Sequence, residues 1–126
     1  MIDAGLRGEL RKLIASFVEN MGVMTSEMEA ALEDGRKGRA DPAGVWDLLR
    51  MQTHRISGSG ASFGFVEIAA VARCIDMHAA ATLDGAGQAA AAAPPWDDPL
   101  VARDLPALRA LVDRARPADS PLYPRE

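Results

Sequence analysis

The stretch that decides the fold runs from residue 42 to residue 64 and reads PAGVWDLLRMQTHRISGSGASFG. The preceding Asp41 can accept hydrogen bonds from the free N–H groups of a helix start, and Pro42 suits the first helical position. Gly64 stands where a helix ends easily, because glycine adopts the left-handed conformation at little cost. The sequence therefore predicts one helix over residues 42–62.

This helix has one apolar face. At about 100° per residue, six positions cluster within roughly 40° of the first of them and form the expected core side. They are Val45, Leu49, Gln52, Ile56, Ser59 and Phe63. His54 falls at about 180° from this side, so we expect its imidazole to face solvent near the middle of the helix.

Small and polar residues surround His54 on the exposed face, namely Arg50, Ser57, Gly58 and Ala61. A glycine inside a helix lowers its stability, so Gly58 and Gly60 need a reason. Gly58 can leave space beside the imidazole for the active site of another protein. Alternatively, the two glycines allow tight helix packing or let the helix end fray, and the pattern favours neither interpretation.

Apolar periodicity predicts three further helices, over residues 4–34, 65–81 and 99–115. Their apolar positions are Leu6, Leu10, Leu13, Ile14, Phe17, Met21, Met24, Met28 and Leu32, then Ile68, Val71, Ala72, Ile75 and Ala79, then Leu100, Leu105, Leu108, Leu111 and Val112. In the last helix, Pro106 predicts either a kink or a later start with Asp104 as the cap.

Between these helices, residues 35–41 are predicted to form a loop, and so are residues 84–98, with some helix at the alanines as an alternative. Strand signals are absent, and four helices with one apolar face each favour an all-α, antiparallel four-helix bundle. We expect one domain over residues 1–126, with a core over about 4–116 and an irregular, proline-rich tail over 117–126.

The composition excludes several classes of function. A net charge of −4 argues against a general nucleic-acid-binding protein and gives no support for attraction to anionic lipid. One cysteine, Cys74, rules out an intrachain disulfide, and one cysteine with two histidines makes a four-ligand zinc site a poor fit. Without a signal peptide or a long apolar segment, the expected location is the cytoplasm, with no membrane association.

The segment from His54 to Gly64 resembles the signature of the histidine phosphotransfer (HPt) domain family. That signature is His, any residue, Leu, Lys, Gly, two small residues, two variable residues, Leu or Phe, and Gly; residues 68–75 are similar to the next helix of the family. The resemblance implies a phosphorelay carrier that has no ATP site and is not an enzyme in its own right. It implies that His54 takes a phosphoryl group, through Nε2, from the aspartate of a response-regulator receiver domain, including that of a hybrid histidine kinase.

The same resemblance implies that the chain needs no cofactor of its own and that magnesium belongs to the receiver domain. Gly58 would admit the receiver, and Arg50 and Arg55 would meet phosphoryl oxygens or acidic partner residues. One position departs from the signature, since Ser57 stands where the family carries a lysine. Arg50 can supply charge one turn earlier, although guanidinium and ammonium groups are not equivalent.

Two other functions stay open. One is the dimerisation and phosphoacceptor hairpin of a histidine kinase, which works as a dimer, whereas the HPt reading predicts a monomer. The other is a non-phosphorylated, all-helical docking module. His78, the only competing acceptor, is expected to have a structural or surface role, Cys74 to be a boundary residue, and Trp46 and Trp96 to be packing residues. A di-iron site is weakly supported, because the sequence lacks a convincing Glu-x-x-His pair.

Overall fold

A computed structural model describes residues 3–85 and 93–125, and within these ranges the protein is all-helical. The helices are α1 (Ala4–Arg36), α2 (Pro42–Ser62), α3 (Val66–Asp84) and α4 (Pro99–Arg114), with short 3₁₀ turns at Pro95–Asp97 and Pro117–Asp119. The four predicted helices and the bundle architecture are confirmed. The alternative of helix at the alanines of the 84–98 loop falls mainly on residues 86–92, which lie outside the described residues.

Helix α1 extends two residues past its predicted end and takes in Gly35, which was predicted to lie in a loop. Gly35 is buried because the ring of Trp96 lies directly on it, so closely that a Cβ atom would overlap the ring. The packing role predicted for Trp96 is therefore confirmed. Sequence periodicity missed this contact because the glycine carries no apolar side chain.

The turn between α2 and α3 follows from the backbone geometry of Gly64. Gly64 has a φ of +82°, in the left-handed region that favours glycine. The N–H of Phe65 donates to the carbonyl of Gly60 at 2.8 Å, and the N–H of Gly64 donates to the carbonyl of Ala61 at 3.2 Å. This pair of hydrogen bonds forms a Schellman motif, and it ends α2 where the sequence predicted.

Helix α4 begins at Pro99 and continues through Pro106. The side chain of Asp98 caps it, accepting hydrogen bonds from Leu100 N at 2.9 Å and Val101 N at 3.1 Å. The alternative start at Asp104 is therefore wrong, because the helix already has a capped beginning one and a half turns earlier.

The core face of α2 is rotated relative to the prediction. Four of the six predicted positions are buried, Phe63 is partly buried, and Ser59 is exposed. The prediction for Ser59 was wrong because α2 turns its Trp46, Thr53 and Gly60 side toward α3, which packs against it more extensively than any other element. Trp46 is 2% exposed, which confirms its packing role.

Burial near the start of α1 and near the end of the chain also differs from the prediction. Leu6 and Leu13 belong to the predicted apolar stripe, yet they are 60% and 56% exposed. Conversely, packing continues past residue 116: Ser120 is fully buried and its hydroxyl donates to the carbonyl of Phe63 at 2.6 Å. The tail also reaches α1, where Arg11 Nε donates to the carbonyl of Pro124 at 3.3 Å.

A charged cluster links α1 to α4. Arg109 donates to Glu29 at 2.7 Å, to Ser26 at 2.8 Å and to Asp113 at 3.0 Å. The hydrogen bond to Glu29 is the main reason why the pKa of Arg109 is raised above its ordinary value. The guanidinium group therefore stays charged and holds the two helices in register.

Candidate functional site

His54 projects from the exposed face of α2, as the helical phase predicts. Its side chain is 78% exposed, and its Nδ1 atom lies 3.0 Å from Oδ2 of Asp76 on α3. The carboxylate of Asp76 is only 15% exposed. A solvated ring thus contacts, through one nitrogen, a carboxylate that is mostly shielded by the bundle.

This contact determines which nitrogen can react. An ionised carboxylate only accepts hydrogen bonds, so the contact with Asp76 favours the tautomer in which Nδ1 of His54 carries the proton. In that tautomer of the neutral ring the lone pair lies on Nε2. Within the described residues, no side chain makes a hydrogen bond to Nε2. The arrangement can present a neutral nucleophile to a group that arrives from solvent.

The two glycines near His54 have different roles. A Cβ atom at Gly58 would meet nothing within 4 Å, so this glycine keeps open space on the histidine face. A Cβ at Gly60 would lie 3.5 Å from the Cβ of Ala69, so Gly60 faces α3 in close helix packing. Gly60 therefore serves helix packing, and Gly58 leaves open space, while the approach of another protein to Gly58 stays a prediction.

The remaining predicted site residues also lie on α2, within about two turns of His54. Arg50 lies one turn before His54 and pairs with Asp47 at 3.4 Å, in an exposed contact of little energetic weight. Ser57 is half-buried, and its hydroxyl lies 3.4 Å from the carbonyl of His54. Arg55 and Ala61 are exposed. Arg55 is offset from His54 by about 100° around the helix, so it lies on another flank.

His78 also contacts an aspartate, but its side chain is more enclosed than that of His54, at 34% against 78% exposure. Its Nε2 lies 2.9 Å from Oδ2 of Asp98, and its ring packs edge-on against Trp46 with centroids 5.5 Å apart. Asp98 is also the cap of α4, so this histidine connects α3 to the start of α4. The predicted structural role of His78 agrees with this geometry. Cys74 is exposed, consistent with the boundary position expected for it.

The described parts of the chain offer neither a metal-ion cluster nor a membrane-spanning helix. No group of three or more histidine, cysteine, aspartate or glutamate side chains is placed to hold a metal ion there. None of the described helices is long and apolar enough to cross a membrane.

A comparison with protein-family models gives a match to the Hpt domain over residues 12–118. The chain belongs to the Hpt family. Neither the curated proteins nor the solved structures contain a match. Membership identifies the molecule as a histidine phosphotransfer domain of a phosphorelay, a class that interacts with response-regulator receivers and carries phosphoryl groups without an ATP site of its own.

In this Hpt domain, the sequence did not predict that Asp76 contacts His54. The signal was present, because the α3 helical phase puts residue 76 on the flank of the core face rather than on the solvent side. What was missing was the register between α2 and α3, which depends on the tight turn at Gly64. Counting back from that turn brings His54 and Asp76 to the same level of the helix pair.

Proposed function

We propose that His54 is the phosphoacceptor of this Hpt domain and exchanges a phosphoryl group with receiver-domain aspartates. The observation that carries the proposal is the 3.0 Å contact between His54 Nδ1 and Asp76, made by a side chain that is 78% exposed. His78 is a weaker candidate because its Nε2 is engaged by Asp98.

The transfer step follows from this tautomer. The Nε2 lone pair of His54 attacks the phosphorus of the aspartyl phosphate, a P–N bond forms, and the bond from phosphorus to the aspartyl oxygen breaks. The receiver aspartate leaves as a carboxylate. The imidazole ring then carries a positive charge, because its Nδ1 proton has stayed in place, and the carboxylate of Asp76 faces that charge. Reversing the same steps returns the phosphoryl group to a receiver.

The open surface beside the ring supports a large partner rather than a small substrate. A Cβ atom at Gly58 would meet nothing within 4 Å, and the next residue on this face, one turn later, is Ala61, whose side chain is also small. In-line transfer requires close approach of the two active sites. We propose that Gly58, Ala61 and Ser57 lie under the receiver, that Arg50 and Arg55 meet its acidic residues or the phosphoryl oxygens, and that the receiver contributes the magnesium ion.

The test is incubation of the protein with phosphorylated receiver domains, comparing the parent with His54→Gln and His78→Gln. We expect the parent and His78→Gln to acquire acid-labile label and His54→Gln to acquire none. Label of equal intensity on His54→Gln would overturn the assignment. If no receiver labels the parent, while a receiver still binds it, the protein is instead a docking module that has lost phosphotransfer.

A further inference from the structure

We propose that Arg73 on α3 supplies the cation that position 57 on α2 lacks, and that its guanidinium group binds oxygens of the phosphoryl group on His54. The inference rests on the proposed role of His54 as the acceptor. The positive charge beside the phosphoryl group would then come from α3, whereas the signature residues lie on α2.

The register between α2 and α3 places Arg73. Two contacts define it: His54 meets Asp76 at 3.0 Å, and a Cβ at Gly60 would meet Ala69 at 3.5 Å. Arg73 follows Ala69 by four residues and precedes Asp76 by three, which is the spacing of neighbours on one helix face. The three residues therefore form one stripe that borders α2, with Arg73 in its middle.

The facing position on α2 is Ser57. It lies midway between His54 and Gly60, the two α2 residues that make the register contacts. Because the two helices are antiparallel, the middle of one stripe faces the middle of the other. The guanidinium group thus borders the groove at the level of the residue that is a lysine in the family signature.

Arg73 is also available to a ligand. It is exposed, and it forms no ion pair with another described residue. Among the α2 arginines, Arg50 pairs with Asp47, and Arg55 is offset from His54 by about 100° around the helix, on the other flank from Ser57. A guanidinium group presents its donors in a planar fork that matches two phosphoryl oxygens, and such charge-assisted bonds are among the strong hydrogen bonds of proteins.

The experiment measures how fast phosphoramidate, a small phosphoryl donor, labels His54 in the absence of any receiver. We expect Arg73→Gln to slow labelling roughly fivefold to tenfold, as loss of one exposed charge-assisted contact predicts. Arg73→Lys should keep part of the rate. Arg103→Gln, which removes the same charge from α4 near the opposite flank of α3, is the matched control and should stay close to the parent.

A second-site variant separates this role from a structural one. In the Arg73→Gln background, Ser57→Lys should restore most of the labelling rate, because it returns a cation to the facing position. In the parent background the same substitution should change the rate much less. Equal slowing by Arg73→Gln and Arg103→Gln, or an equal effect of Ser57→Lys in both backgrounds, would overturn the inference.

These experiments distinguish a failure of the proposed receiver exchange from a failure of the role proposed for Arg73. If receivers do not label the parent, but phosphoramidate labels His54 in a manner that depends on Arg73, the receiver exchange fails and the cation site stands. If receivers label the parent and Arg73→Gln is labelled by phosphoramidate at the parental rate, the exchange stands and Arg73 is not part of the site.

Discussion

The imidazole of His54 and the carboxylate of Asp76 lie 3.0 Å apart, with the ring largely in solvent and the carboxylate largely shielded by the bundle. A solvated side chain is thereby oriented by a group that is itself held by helix packing. This division suits a carrier, since the reactive nitrogen stays accessible while its tautomer is set from behind.

The first prediction separates the orientation supplied by Asp76 from its charge. Asp76→Asn keeps an oxygen that can accept the Nδ1 hydrogen bond, but it removes the charge that faces the phosphorylated ring. We expect transfer from a receiver to slow about tenfold in Asp76→Asn and further in Asp76→Ala, which removes both effects. Stopped-flow or quench measurement of label on His54 gives the rates.

Because Asp76 is a positioning residue, the change must appear in the chemical step and not in docking. The receiver affinity of both variants should match that of the parent, as measured by calorimetry. Asp104→Asn, a carboxylate on α4 whose partner is Arg103, serves as the control for charge alone. Parental transfer rates in Asp76→Ala would show that the contact has no functional role.

The second prediction concerns the space above Gly58. Gly58→Leu should fold with normal stability, because nothing lies within 4 Å of its Cβ, yet it should block receiver approach and reduce transfer by more than tenfold. Gly22→Leu is the matched control, since Gly22 also lies inside a helix with open space around its Cβ. Its transfer rate should stay parental.

Thermal unfolding provides the second measurement for these variants. Gly58→Ala and Gly22→Ala should each raise stability by about 0.5–1 kcal/mol, as alanine replaces glycine inside a helix. Gly60→Leu should instead destabilise the protein, because its side chain would enter the packing against Ala69. A Gly58→Leu variant that transfers at the parental rate would refute the proposal that the receiver approaches His54 over Gly58.

The sequence predicted the elements better than their orientation. Caps and breakers such as Asp41, Pro42 and Gly64 are local, so the limits of α2 could be predicted from the chain alone. The rotation of α2 that exposes Ser59 arises from the extensive packing against α3, a tertiary effect that one helix does not encode. For the same reason the position of His54 was predictable, while its contact with Asp76 required the register of two helices.

The third prediction tests the turn that sets this register. Gly64→Ala should lose about 1–2 kcal/mol because its φ of +82° strains any residue with a Cβ. It should lose more because the new Cβ would lie 2.5 Å from Cδ of Pro121 in the tail. Gly38→Ala is the control, since its φ of +74° brings the same strain with nothing within 4 Å.

The difference in unfolding free energy between these two variants therefore isolates the tail contact. Ser120→Ala should reproduce part of it, about 1 kcal/mol, by removing the hydrogen bond to the carbonyl of Phe63. Chemical denaturation monitored by circular dichroism supplies the free energies. Equal losses in Gly64→Ala and Gly38→Ala would mean that the tail does not support the turn.

The last prediction concerns the second histidine, and it distinguishes a structural from a chemical role. Asp98 caps α4 and accepts a hydrogen bond from His78, whereas Asp41 caps α2 through Gly44 N at 3.1 Å in an exposed position. Asp41→Ala should cost about 1 kcal/mol for the lost cap. Asp98→Ala should cost roughly 2 kcal/mol, because it also leaves the half-buried His78 ring without its acceptor.

These losses should appear as lower midpoints of thermal unfolding, by several degrees more for Asp98→Ala than for Asp41→Ala. Asp98→Asn should recover most of the difference, since an asparagine oxygen can still cap the helix and accept from His78. Phosphotransfer to His54 should remain parental in every folded variant. If Asp98→Asn lost labelling but kept its stability, the contact between His78 and Asp98 would have a part in the chemistry rather than only in the fold.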